Sequence, residues 1–198
     1  CHQGLYAEFF PNCRRHLYLN CSHVHRNELG QYGINVRALK YNPEWETYHL
    51  DLKGPEAYDF VLSKALRLLC IEGVDGLFLD DLDPWGDCPE NRARFAQLVE
   101  EVRRKAGRPV GLSLNRGASF WHRLPGIEAI VLENIGPDSA YTGSENDLVW
   151  LENMLKLNVR AARAQGVTAP IYGLKYKGQG EDADVARDYD FENGEWRD

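Results

Sequence analysis

What the chain lacks narrows its chemistry first. Across 198 residues there is no G-x-G-x-x-G after a strand-like run and no P-loop, which removes the usual nucleotide cradles. No apolar run approaches membrane-spanning length. Basic clusters are limited to Arg14-Arg15 and Arg103-Arg104-Lys105 in a chain of net charge −7, so a nucleic-acid partner is not expected. The five cysteines (Cys1, Cys13, Cys21, Cys70, Cys88) are odd in number and show no C-x-x-C spacing. That pattern makes neither a structural zinc site nor a disulfide framework. Cys13 and Cys21 could pair in an exported protein, and Cys70 reads as a small buried hydrophobe on a helix. No internal repeat, low-complexity segment or linker divides the chain, so one domain is expected over residues 1–198.

What is present is an alternation of short apolar runs with amphipathic helices. Strands are expected at Leu17 to Asn20, Thr47 to Asp51, Leu77 to Leu79, Val110 to Asn115, Ile127 to Leu132 and Ile171 to Tyr176, with a further short one suggested in Leu5 to Phe10. Helices are expected from Pro55 to a stop at Gly73, from Pro89 to Gly107, near Ser119 to Leu124, and from Asn146 to Gln165. Residues 182–198 read as one helix and a ragged end. Repeating βα units of this size predict an α/β fold, a (β/α)8 TIM-type barrel that is incomplete or irregular at its last strand. An open doubly wound sheet is the competing architecture.

The most informative segment is Gly73-Val-Asp-Gly-Leu-Phe-Leu-Asp-Asp-Leu-Asp83, an apolar strand running into Asp80, Asp81 and Asp83. Crowded carboxylates are unfavourable unless a proton, a cation or a substrate relieves them. The carboxyl ends of strands are where α/β folds build active sites. The other strand ends are Asn20 with Ser22, Asp51, Asn115 with Arg116, Glu133 with Asn134, and Lys175 with Tyr176. One polar strand end is an ordinary turn; six on one edge make a pocket.

Two carboxylates on nearby strand ends are what glycoside cleavage needs, one to protonate the leaving oxygen and one to attack or to activate water. Asp80 and Glu133 sit two strands apart, about 10 Å between backbones, which inward-leaning side chains can shorten. Trp85, in a polar loop past the aspartates, is the leading candidate for stacking on sugar, with Trp121, Tyr141, Tyr172 and Tyr176 as others.

Residues 73–83 resemble the strand-four signature of the endo-α-1,4-polygalactosaminidase barrels, glycoside hydrolase family 114. They resemble still more closely the related hydrolase domain of the Pel polysaccharide system. The resemblance extends through Tyr18-Leu-Asn20, Leu50-Asp51, Asn115-Arg116-Gly117 and Leu132-Glu133, roughly residues 17 to 177. It implies a single hydrolase domain with Asp80 and Glu133 as the catalytic pair. Asp83 and Asn115 would lie in the pocket, and α-1,4-linked galactosamine or N-acetylgalactosamine polymers would be the substrate. Asp81, Arg116, Trp85, Asn20, Lys175 and Tyr176 complete the expected substrate-binding set. No cofactor is expected, and the protein is expected to act as a monomer on a polysaccharide. Asp81 stands where relatives often carry an uncharged residue, and the family's final strand is not evident before Asp198.

Two alternatives are open. Cys21-Ser-His23-Val-His25 carries an H-x-H just past a strand, and with Asp80 could serve a metal-dependent hydrolase. A carbohydrate-binding barrel without activity is the other, since fold does not dictate function. The opening Cys1 fits an exported, lipid-anchored protein, and an extracytoplasmic or secreted location is the expectation.

Overall fold

A computed structural model of the chain describes residues 14–32, 40–43, 45–133, 156–177, 182–190 and 195–196. Of the side chains of Glu133 and of everything from residue 173 onward, nothing is described. The central sheet contains five parallel strands: β1 (His16–Asn20), β5 (Gly76–Asp80), β6 (Gly111–Asn115), β7 (Ile127–Glu133) and β8 (Ile171–Lys177), adjacent in that order. Beside β1 stands a small antiparallel sheet of β2 (His23–His25), β4 (Thr47–His49) and β3 (Tyr41–Asn42).

Period-two alternation divides the central sheet into two unlike faces. Leu19, Leu77, Leu79, Leu112 and Leu114 point to one face and are buried. Two helices cover it. The first, α1 (Pro55–Leu69), begins with Pro55 in its first turn and buries Ala57, Phe60, Val61, Ala65 and Leu69 at helical spacing. The second, α2 (Pro89–Ala106), buries Phe95, Leu98, Val99 and Val102, and stops at Gly107 in the left-handed conformation. Arg103, Arg104 and Lys105 occupy its last turn, where cations suit the helix dipole. The clusters that look basic in sequence are thus accounted for by helix capping and salt bridges such as Lys105–Glu101 at 2.9 Å.

The opposite face is polar at both ends. At its amino-terminal end His16 Nδ1 meets Ser113 Oγ at 2.7 Å, while His16 Nε2 meets Glu128 Oε2 at 3.0 Å. Two glycines make the room for this cluster. A Cβ on Gly76 would lie 2.3 Å from the Gly111 carbonyl oxygen and 2.7 Å from the His16 ring, and one on Gly111 would lie 2.5 Å from a Glu128 oxygen. The carboxyl-terminal end of the same face carries Asn20, Asp80 and Asn115.

The fold is α/β with a parallel, helix-covered sheet, compatible with a TIM-type barrel, but the described residues do not close one. Three expectations are corrected. Thr47 to Asp51 does not enter the central sheet, because β4 pairs antiparallel with β2 and β3 and lies over the end of β1. Asp51 instead caps the chain before α1, with Oδ1 accepting from the Lys53 N–H at 3.1 Å. Residues 182–190 form a strand, β9 (Asp182–Asp190), rather than a helix; it runs antiparallel to β8 and carries β10 (Glu195–Trp196) on its other side. Pairing with the open edge of β8 outweighs the weak local helical preference of this polar stretch. Cys70 is also corrected: it follows α1 as an exposed C-cap residue, while Cys21 is a free, buried thiol. The suggested strand at Leu5 to Phe10 and the first half of the helix expected from Asn146 lie outside the described residues; its second half is helical over 156–164, here α3.

Gly76→Ala is expected to destabilise the protein by about 3 kcal/mol in urea denaturation, since a backbone carbonyl cannot yield as a side chain can. Gly30→Ala, in a helical turn with nothing within 4 Å, is the control and should be neutral or slightly stabilising. Equal losses at the two positions would show that the close approach of β5 and β6 is not what selects glycine.

Candidate active site

Parallel register sets the site. Asn20 pairs with Asp80 across β1 and β5, and Leu79 with Leu114 across β5 and β6, so Asn20, Asp80 and Asn115 stand level at the carboxyl edge. Both β5 and β6 are followed at once by a residue in the left-handed region, Asp81 at φ 54 and Arg116 at φ 54. Aspartate tolerates that region and arginine does so rarely. Strained backbone of this kind collects at functional sites.

The strain serves the contacts. With the chain turned at Asp81, its N–H donates to Asp80 Oδ1 at 2.8 Å. Asn115 Nδ2 donates to the same oxygen at 2.7 Å, and the Tyr18 hydroxyl donates to Asp80 Oδ2 at 2.8 Å. Three donors on one carboxylate orient it and favour its charge. Against them, burial and the neighbouring Asp81 charge act harder and hold the Asp80 carboxyl above the usual range. Burial, helped by the bond to Asp80, pushes the Tyr18 phenol well up, so it stays a donor. Asn115 is buried, and its Oδ1 is a buried acceptor with no partner among the described residues.

Asp81 is held differently. Asn20 Nδ2 donates to its Oδ2, and His23 Nδ1 meets the same oxygen at 2.9 Å. Burial alone would raise the Asp81 carboxyl, yet the hydrogen bond and charge of His23, with Asn20, carry it below the ordinary range. An ionised carboxylate only accepts, so His23 donates from Nδ1 and turns Nε2 to His49 Nδ1, 2.7 Å away. Burial, with His23 and Lys40, lowers His49. The two adjacent aspartates are therefore unlike, one kept ionised and the other drawn toward its proton. Asn20 Oδ1 accepts from the Ser22 and His23 N–H groups at 3.1 and 2.8 Å, which fixes the turn that delivers His23.

A cavity of about 390 Å³ opens over this edge, a size ordinary for a ligand site. Asn20, Asp80, Asp81, Asp83, Asn115 and Arg116 all line it. Burial raises Asp83, and Arg116 opposes that rise. Six of the ten residues expected from the sequence thus share one cavity. Glu133 ends β7 two residues past Val131, the partner of Asn115, so its backbone closes the neighbouring strand at the same edge. Lys175 and Tyr176 lie near the end of β8, and Tyr141 falls outside the described residues.

Trp85 is a correction. It is 0% exposed, donates its indole N–H to the Cys21 carbonyl at 2.7 Å and packs on Phe95 at 5.3 Å. The short helix Asp83–Gly86 turns it under the sheet edge, so it supports the site from behind and cannot stack on a sugar. Trp121 is buried likewise, donating to the Arg116 carbonyl at 2.6 Å. Among the described residues the tyrosine and tryptophan on the cavity wall are Tyr18 and Trp45, neither of which was expected as a site residue from sequence. Tyr18 lay inside the Tyr-Leu-Asn run, and its position two residues before a strand-end asparagine was the available signal. The metal reading of His23 and His25 meets a geometric obstacle, since both ring nitrogens of His23 are engaged by Asp81 and His49. No group of three His, Cys, Asp or Glu suited to a metal occurs among the described residues.

Comparison with solved structures finds a similar fold in the glycoside hydrolase domain of PelA from Pseudomonas aeruginosa. The match covers 85% of this chain and 68% of that one, with a TM-score of 0.60 and 26% identity. A single-substitution variant of that domain matches with a TM-score of 0.60 and 25% identity. No protein-family model matches the chain, and no curated protein matches it significantly. No helix among the described residues is long and apolar enough to cross a membrane. The fold is glycoside hydrolase-like, and the likeness supports glycoside hydrolase function in general terms.

Proposed function

We propose that the protein is an endo-acting glycoside hydrolase that cleaves α-1,4-linked galactosamine or N-acetylgalactosamine polysaccharide with retention of configuration. The observation that carries this reading is the Asp80 carboxylate, held by three donors in an open cavity at the carboxyl edge of a hydrolase-like sheet. Asp80 is the nucleophile. Three donors already orient its oxygens, and they oppose the burial and the Asp81 charge that draw it toward its proton, so attack by the ionised form on the anomeric carbon needs little reorganisation. Glu133 is the acid: it gives its proton to the leaving glycosidic oxygen, then takes one from the water that releases the glycosyl-Asp80 ester. The acidic cavity wall and net charge of −7 suit a partly deacetylated, cationic glycan. Action outside the cytoplasm, on a polysaccharide met there, belongs to the same proposal.

Asp80→Asn and Glu133→Gln are each expected to lower cleavage of a galactosaminoglycan by roughly 10²–10⁴-fold while leaving the thermal midpoint in place. Full activity in either removes that residue from the mechanism. A chelator should leave the rate unchanged, and a loss restored by zinc would favour a metal-dependent hydrolase instead. A wild-type protein that binds the glycan without product would favour the non-catalytic alternative.

The pH profile tests the assignment of Asp80. A nucleophile must be ionised, so kcat/KM falls as pH drops through its pKa, which burial and Asp81 hold above the ordinary aspartate value of about 3.9. Asp81→Asn removes a like charge and should move that acid limb to lower pH. Tyr18→Phe removes a donor to the anion and should move it to higher pH. Shifts in the reverse directions, or none, would assign the limb to another group.

A further inference from the structure

One large aromatic residue in the described part of the molecule stands where packing does not explain it. Trp45 is 57% exposed, whereas Trp85 and Trp121 are sealed in the core with their indole N–H groups satisfied. Its own indole N–H has no partner among the described residues. An indole left in water is costly apolar surface, and it recurs where one face must meet a ligand. Trp45 lines the same cavity as Asp80, Asp81 and Asp83.

The residue is presented on a braced arm. It lies in the turn between β3 and β4, whose register pairs Asn42 with Thr47 and Tyr41 with Tyr48. Alternation sends Asn42, Thr47, His23 and His25 to the cavity side. Tyr41 and Tyr48 pack against each other with ring centroids 4.9 Å apart and their planes tilted by 47°. Glu46, next to Trp45, adopts a left-handed φ of 49, and its carbonyl accepts the Arg26 N–H at 3.2 Å. That ties the turn to the short helix Arg26–Glu28, whose Glu28 is salt-bridged to Lys64 of α1 at 2.7 Å. The chain of contacts runs from the turn that bears Trp45 to a core helix, so the backbone carrying the platform is held in place, which lowers the ordering cost of binding. Thr47, on the same wall, is buried with its Oγ1 unpartnered.

We propose that Trp45 is the stacking platform of a sugar subsite adjoining Asp80, and that this subsite takes the apolar face of a galacto-configured ring. In such a ring the axial O4 gathers the hydrogens of C3, C4 and C5 on one face, giving a flat apolar patch that an indole covers. Asp80, Asp81 and Asp83 of the same cavity then receive the polar edge, including an ammonium where the sugar is deacetylated. Tyr18, half exposed on the wall of the same cavity and bonded to Asp80, flanks the ring. This subsite rests on the hydrolase reading given above and names the contact through which the glycan chain is held.

The test uses a partly N-acetylated α-1,4-galactosamine oligosaccharide as probe. Titrated into the wild-type protein and into Asp80→Asn, it should shift or quench tryptophan fluorescence. Trp45→Ala should lose that signal and raise KM by roughly 10-fold, about 1.4 kcal/mol of binding, with kcat changed far less. Trp45→Tyr, which retains a flat aromatic face, should recover most of the KM, and Trp45→Leu, apolar but not flat, should not. Circular dichroism and melting of each variant should match wild type, because the side chain is exposed. If wild type cleaves the probe but KM and fluorescence are indifferent to Trp45, the platform is wrong and the hydrolase reading stands. Loss of kcat at unchanged KM, or recovery by leucine equal to tyrosine, would also overturn it. A wild-type protein that neither cleaves nor responds in fluorescence overturns both.

Discussion

The arrangement at this edge depends on two carboxylates in consecutive residues that must coexist half-buried. Asp80 and Asp81 would repel strongly if both faced the same space in a medium less polar than water. The left-handed turn at Asp81 resolves the conflict by dividing the pair between two sets of partners. Asp80 takes Tyr18, Asn115 and the Asp81 N–H; Asp81 takes Asn20 and His23. The partners come from β1, β6, the turn after β5 and the small sheet, so this division is achieved only when β1, β5, β6 and the small sheet are all in register.

That requirement explains features that look unrelated. Gly76 and Gly111 let β5 and β6 approach closely while His16 and Glu128 fill the space their side chains would have taken. Register across these strands then levels Asn20, Asp80 and Asn115. Trp85 locks the segment after the aspartates to the turn after β1 through the Cys21 carbonyl, and Cys21 N–H returns a bond to the Asp80 carbonyl at 3.0 Å. Burial of Cys21 pushes its thiol well up, so it acts as packing and not as a nucleophile. The small antiparallel sheet brings His49 against His23 and carries the turn that bears Trp45. Together these make a site with a rigid charged floor and an aromatic arm at its rim.

Much of this was legible in the residues. Alternation of apolar runs with helical spacing located the strands of the central sheet and the two helices that cover it, because hydrophobic period reports which face each element buries. Pro55 and Pro89 opened their helices and Gly107 closed one, since these residues act through local backbone preference alone. The carboxyl-end rule then gathered Asn20, Asp80, Asp81, Asp83, Asn115 and Arg116, which share one cavity. Strand pairing was less legible: Thr47 to His49 joined its own small sheet, and residues 182–190 paired as a strand, because partner choice is a long-range property.

Sequence by itself determined which residues are polar at strand ends and which are apolar between them, because side-chain alternation and helical period are properties of the local chain. Tertiary structure alone decided which aromatic meets the cavity. Trp85 follows the aspartates by two residues and is buried beneath them, whereas Trp45 precedes them by 35 and lines the same cavity. Proximity in sequence says little about facing direction once a four-residue helix intervenes. The different states of Asp80 and Asp81 were likewise a tertiary decision. Identical side chains at adjacent positions diverge because burial and the neighbouring charge outweigh the donors at Asp80, whereas His23 and Asn20 outweigh burial at Asp81.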